Sequence, residues 1–206
     1  MPPRPPRRPP RARPVYAPLA PGQVFLRGML VSLSVLVLVF LVNLLVISHV
    51  SHFAAQQQAR DLFRAQLAAG TAPVSEGDFE DHLLPDGAPV GILSIPQLGL
   101  DEVISEGTTS GVLMHGPGHR RDTVLPGQAG VSVLMGRAAA FGGPFGGLQS
   151  LQPGETFTVR TGQGEQTFEV LGVRYAGDPT PPAPVRGESR LILMTARGAP
   201  YLPTGA

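Results

Sequence analysis

The stretch GMLVSLSVLVLVFLVNLLVIS, Gly28 to Ser48, contains no charged residue. As a helix rising about 1.5 Å per residue it reaches roughly 30 Å, the thickness of a bilayer's hydrocarbon. Such a run must be buried in lipid or in a large core, and a chain of 206 residues has room for one ordinary domain beside it. A cleaved signal peptide has a shorter apolar core followed by a small-residue cleavage site. The run is too long for that, and SHVSHFAAQQQ after it is a weak cleavage candidate. The expectation is a retained single-pass anchor over residues 28–49, with the lipid bilayer as a partner. Asn43 inside it reads as a tolerated amide; a hydrogen bond across a helix pair is the alternative.

Charge orients this anchor. All 16 basic residues are arginine, and six of them (Arg4, Arg7, Arg8, Arg11, Arg13 and Arg27) precede the apolar run with no acid among them. The nearest arginine beyond it is Arg60. The positive-inside rule then places the N-terminus in the cytoplasm and everything after about residue 50 outside. Residues 1–27, Pro/Arg-rich, are expected to be an extended tail that signals topology and touches anionic headgroups; a polyproline ligand is the second reading. The rest is mildly acidic on balance, so no nucleic-acid partner is expected.

Residues 50–70, VSHFAAQQQARDLFRAQLAAG, favour a helical stalk of moderate amphipathicity, with Phe53, Leu62, Phe63 and Leu67 only partly sharing a face. His49 and His52 lie three apart at the membrane exit. With no carboxylate beside them they read as interfacial side chains and not as a metal site. Residues 71–89, with Gly, Pro and several acids, read as a linker. From residue 90 to 206 short β-type runs recur between turns: VGILSIP, DEVISEG, GVSVLMG, ETFTVRT, QTFEVLGVRYA and RLILMT. TVRTGQGEQTFEV is the clearest hairpin. The fold class expected is mostly β, a barrel or sandwich, on a transmembrane helix and a helical stalk.

The order of motifs resembles the sortases, membrane-anchored cysteine transpeptidases of Gram-positive bacteria, especially the class E and F types of actinobacteria. The matching segments are ILSIPQLGLDEVISEGTTSGVLMHGPGH, TVLPGQAGVSVLMGR, FGGPFGGLQSLQPGE and SRLILMTA, over about residues 90–198. The resemblance implies a β-barrel outside the cytoplasmic membrane. It also implies a cysteine nucleophile after a Thr at a strand end, a histidine after a Gly, and an arginine on a later strand.

The chain departs at each of those positions. Ala196 stands where the cysteine belongs, and its methyl group is no nucleophile; the chain has no cysteine at all. Arg137 follows Gly136 where the histidine belongs, and a guanidinium stays protonated and cannot act as a base. Arg197, adjacent to the cysteine position, is not the family's arginine, and YLPTGA comes before a further strand forms. That stretch reads as loop and not as a sorting signal. Either a longer natural chain or a partner is expected to cover the open barrel edge.

The reading is a catalytically silent sortase-like domain, a binding or scaffold module in a membrane or cell-envelope assembly. Two alternatives stand beside it: an active transpeptidase or hydrolase with a substitute nucleophile or a complementing subunit, and a structural spacer. Peptide-groove candidates are Arg137, Thr195, Arg197 and His119; a His119–Asp122 pair with Thr195 or Ser132 as hydroxyl is the route to rescued chemistry. His115, His119 and Asp122 make a poor metal set, and no cofactor or metal is expected. GRAAAFGGPFGG lacks the ending of a phosphate loop and reads as a wide loop beside the groove.

Overall fold

The computed structural model describes residues 20–75, 77, 83–179, 181–199 and 202–205. The Pro/Arg tail through residue 19 lies outside these, as do four of the linker acids, Glu76, Asp78, Glu80 and Asp81. By its internal contacts the chain divides after Phe40.

Helix α1 (Pro21–Val42) starts ahead of the uncharged run, with Pro at its first position, where a missing N–H costs nothing. The Ala20 N–H donates to Gln23 Oε1 at 3.1 Å, which closes the first turn. None of its residues is buried by protein, although Val, Leu and Phe dominate it. It belongs to a helical stretch long and apolar enough to cross a membrane. A π-helical turn, Asn43–Ile47, leads into α2 (Ser48–Ala69), which ends on Gly70 in the left-handed conformation.

Ser48, His52, Gln56 and Phe63 recur at helical spacing and are buried, so α2 has one face turned inward. That face is mostly polar, which is why hydropathy shows only moderate amphipathicity. Phe63 is fully buried, while Phe53 is 62% exposed and Leu62 50% exposed.

The face packs on β1 (Pro89–Ile95) and β2 (Leu100–Glu106), which pair antiparallel. After the short helix α3 (Ser110–Leu113), β3 (Gly118–His119) joins β2 in parallel, with Ser105 opposite Gly118 and Glu106 opposite His119. The chain continues through β4 (Gly130–Met135), β5 (Thr156–Thr161), β6 (Gly164–Glu169) and β7 (Ser189–Met194). The sheet order is β6-β5-β1-β2-β3-β4-β7. It coils into a nearly closed barrel around Leu93, Ile95, Ile104, Leu134, Phe145 and Val159, with β6 and β7 as its two free edges. Two short strands, β8 (Arg197–Ala199) and β9 (Leu202–Gly205), form a separate pair where loop is expected from the sequence.

The TVRTGQGEQTFEV hairpin is present as β5–β6, with Phe157 and Phe168 stacked 5.6 Å apart. The run QTFEVLGVRYA, however, is strand only as far as Glu169. Val170 still exchanges backbone hydrogen bonds with Gly154 and Glu155, after which no strand pairs with the chain among the described residues and Leu171 is 75% exposed. The linker is also less free than its composition indicates. Val74 O accepts from the side chains of Gln128 and Gln163, and Arg121 donates to Leu84 O and ion-pairs with Asp86.

Candidate functional site

Parallel pairing decides which residues meet. β4 and β7 run in register from Gly130 opposite Ser189 to Met135 opposite Met194. The Gly136 N–H donates to Met194 O at 3.0 Å, and Thr195 Oγ1 donates to Gly136 O at 2.9 Å. Arg137 and Ala196 therefore leave two adjacent strand ends side by side.

The Arg137 side chain turns toward α3. Its Nε donates to Leu113 O at 3.1 Å and its Nη2 to Ser110 Oγ at 3.0 Å, while the guanidinium lies 5.1 Å from the Phe141 ring centre. Its hydrogen-bond partners are neutral oxygens. A group with only N–H donors and a permanent charge orients and binds; it does not accept a proton. Ala196 is exposed. The Thr195 hydroxyl spends its proton on a carbonyl, with no imidazole or carboxylate among the groups it bonds.

Arg137 begins a loop that is tightly wound. Ala140, Phe141, Gly142 and Gly143 have φ of 56°, 46°, 78° and 54°, four left-handed residues in succession. For Ala and Phe this conformation costs on the order of 1 kcal/mol each, so packing must hold it. One face of that packing is the His52 ring. A Cβ on Gly142 would lie 2.5 Å from His52 Nε2, so the glycine is required for the approach as well as for its φ.

The second groove candidate, His119, is a correction. It is fully buried, and both ring nitrogens are engaged: Nε2–H donates to Val124 O at 2.9 Å, and Nδ1 lies 2.9 Å from Glu106 Oε2. It tethers β3 to β2 and is not in the wall of the cavity between β6 and β7. Asp122 does not reach it; the Asp122 carboxylate pairs with Arg120 at 2.6 Å, and that hydrogen bond holds its pKa below the usual carboxylate range. Ser132 is buried with its Oγ unpartnered among the described residues, and His115 is exposed. The rescued His–Asp–hydroxyl arrangement is thus not assembled. Among the described residues no three His, Cys, Asp or Glu side chains gather as metal ligands.

Thr195 and Arg197 do share a cavity. It has a volume of about 780 Å³ and lies between the free edges β6 and β7, with Phe157, Phe168, Val170, Leu191 and Leu193 in its wall. Arg197 stacks 4.7 Å from the Tyr175 ring centre in the same wall. Arg137 and His119 are not part of it.

Sequence reasoning misses the acids that matter most, Glu102 and Glu106. Both lie inside the β-type run DEVISEG, and an acid within a strand pattern is the only sign of them. Glu102 pairs with His52 at 2.8 Å, so this histidine does have a carboxylate, supplied from 50 residues away.

Comparison with known proteins agrees with this architecture. The sortase domain model matches residues 93–201. Among solved structures, Clostridium perfringens sortase C, determined with the C-terminal cell wall sorting motif, is 19% identical with a TM-score of 0.50 over 71% of this chain and 80% of that one. Sortase A from Corynebacterium diphtheriae is 17% identical with a TM-score of 0.50 over 72% and 77%. Sortase E from Streptomyces avermitilis is 31% identical over 37% of this chain and 51% of that one, with a TM-score of 0.36. No curated protein sequence matches. The domain match takes in more than half of the 206 residues and coincides with the barrel, from within β1 to beyond β7: the chain belongs to the sortase family.

Proposed function

We propose that this protein is a membrane-anchored, extracytoplasmic sortase-fold module that catalyses no transpeptidation and serves in binding or scaffolding within a membrane or cell-envelope assembly. One observation carries the reading: the paired ends of β4 and β7 present Arg137 and Ala196, a permanent cation and a methyl group. Acyl transfer through a covalent intermediate needs a nucleophile and a group that takes its proton, and neither side chain supplies one. Thr195, bonded to Gly136 O, and His119, sealed against Glu106, do not substitute for them. The cavity between β6 and β7 has the size and apolar wall of a binding cleft, which favours a binding role over a pure spacer.

The test is turnover. Full-length protein in detergent, mixed with a fluorogenic sorting peptide and a peptidyl amine acceptor, is expected to release no product above the protein-free blank. Product formation that disappears with Thr195→Val overturns the silent reading. Photocrosslinking from position 171 in native membranes then separates the remaining roles: one recurring protein adduct supports a scaffold, and none supports a spacer.

A further inference from the structure

Three side chains on one face of α2 hold it to the barrel. Gln56 donates to Val103 O at 3.2 Å and to His115 O at 2.7 Å, and accepts from Val103 N at 2.7 Å. Arg60 ion-pairs with Asp101 at 2.9 Å. His52 Nε2 lies 2.8 Å from Glu102 Oε1, with both side chains largely buried. Only the last contact changes character when a proton leaves near neutral pH. The same ring abuts Gly142, in the left-handed turn of the loop that begins with Arg137.

We propose that the His52–Glu102 pair is a proton-operated latch, which holds α2 on the barrel and, through Gly142, braces the loop carrying Arg137. The surroundings leave Glu102 as its counter-charge. On α2, His49 is engaged with Ser48, and Arg60 is committed to Asp101. From the loop the charged residue is Arg137, bonded to Leu113 and Ser110. From the segment after α3, Met114 contributes backbone, and the exposed His115 contributes its carbonyl to Gln56.

Burial opposes the charged imidazolium, but the hydrogen bond and charge of Glu102, with Met114 backbone, outweigh it and hold the His52 pKa above the ordinary imidazole value. The docked helix therefore binds a proton that the undocked helix releases. The latch is fully engaged below about pH 6.5 and is lost as pH rises through the raised value, with docking weakening by about tenfold per unit in between. The proposal concerns α2 and the loop, and stands whether or not the site is catalytically silent.

The absence of native cysteine makes the test direct. Nitroxide labels at Gln57→Cys and Gln149→Cys, both exposed, report the α2-to-barrel distance in full-length protein in lipid nanodiscs. A single narrow distribution is expected at about pH 6, with a displaced population growing by about pH 9. His52→Gln keeps a donor for Glu102 and is expected to abolish the pH response; Glu102→Gln does the same by removing the counter-charge. A distribution that ignores pH in the parent, or a pH response that survives both substitutions, overturns the latch.

Discussion

Glu106 and His119 hold one hydrogen between carboxylate and imidazole in a place that water does not reach. Nothing local in the sequence pairs them, because they are 13 residues apart and become neighbours only through the parallel register of β2 and β3. Asp122, the acid that sequence proximity selects, turns to Arg120 instead. Removing His119 leaves the buried Glu106 with Arg121 Nε, 3.5 Å from Oε1, as its remaining ion-pair partner, so the cost lies below that of a fully stranded buried charge, about 3–5 kcal/mol. His119→Ala is expected to lower the urea midpoint of unfolding accordingly, whereas Asp122→Asn, fully exposed, leaves it nearly unchanged. Ala196→Cys tests the neighbouring site. Its thiol is expected to react with a disulfide reagent, since the position is exposed, yet to give no transpeptidation in the peptide assay. Arg137 takes no proton, and general base assistance is generally worth about 10²–10⁴-fold. Turnover by this single variant would mean that a base exists elsewhere at the strand ends.

Among elements, α2 is legible as a helix from its Ala, Gln, Leu and Arg content, but not as a docked one. Its inward face is read by polar groups whose partners lie on β2, and no hydrophobic periodicity marks it. β3 is only two residues long, so Val103 has no strand beside it on that side, and the Gln56 amide takes the place of one by bonding both its N–H and its C=O. Gly116 fits the same contact, since a Cβ there would lie 2.1 Å from Gln56 Nε2. Gln56→Ala leaves the Val103 N–H without its partner, at a cost of about 1–3 kcal/mol. Faster hydrogen exchange at Val103, with β5 unaffected, is the expected signature; unchanged protection would mean that water replaces the amide. β6 teaches the converse lesson. Alternation continues in the sequence to Ala176, but a strand needs a neighbour as well as a pattern, and pairing stops after Val170. The expected bounds of β1, β2, β4, β5 and the edge strand β7 lie within a residue of the observed ones, whereas the two-residue β3 has no run long enough to show in the sequence.

At the scale of the whole molecule, the charge pattern and the fold make one joint demand. Helix α1 has none of its described residues buried by protein and belongs to a stretch long and apolar enough to cross a membrane, which fits the proposed anchor. Six arginines before the apolar run, against none between it and Arg60, set the direction proposed for the chain: tail inside, barrel outside. Because the sequence contains no cysteine, single substitutions report sidedness without background. On intact cells, a membrane-impermeant maleimide is expected to label Gln149→Cys and to spare Ala12→Cys, with both labelled after permeabilisation. Reversing the arginine asymmetry should then move the pattern: replacing the tail arginines with glutamine and adding three arginines just after Ser48 is expected to shift a substantial fraction of molecules to the opposite labelling. Equal labelling of both positions on intact cells would instead put the tail on the same side as the barrel and overturn the cytoplasmic tail, whereas labelling of Ala12→Cys with Gln149→Cys spared would remove the extracytoplasmic part of the proposal while leaving the sortase fold as it is.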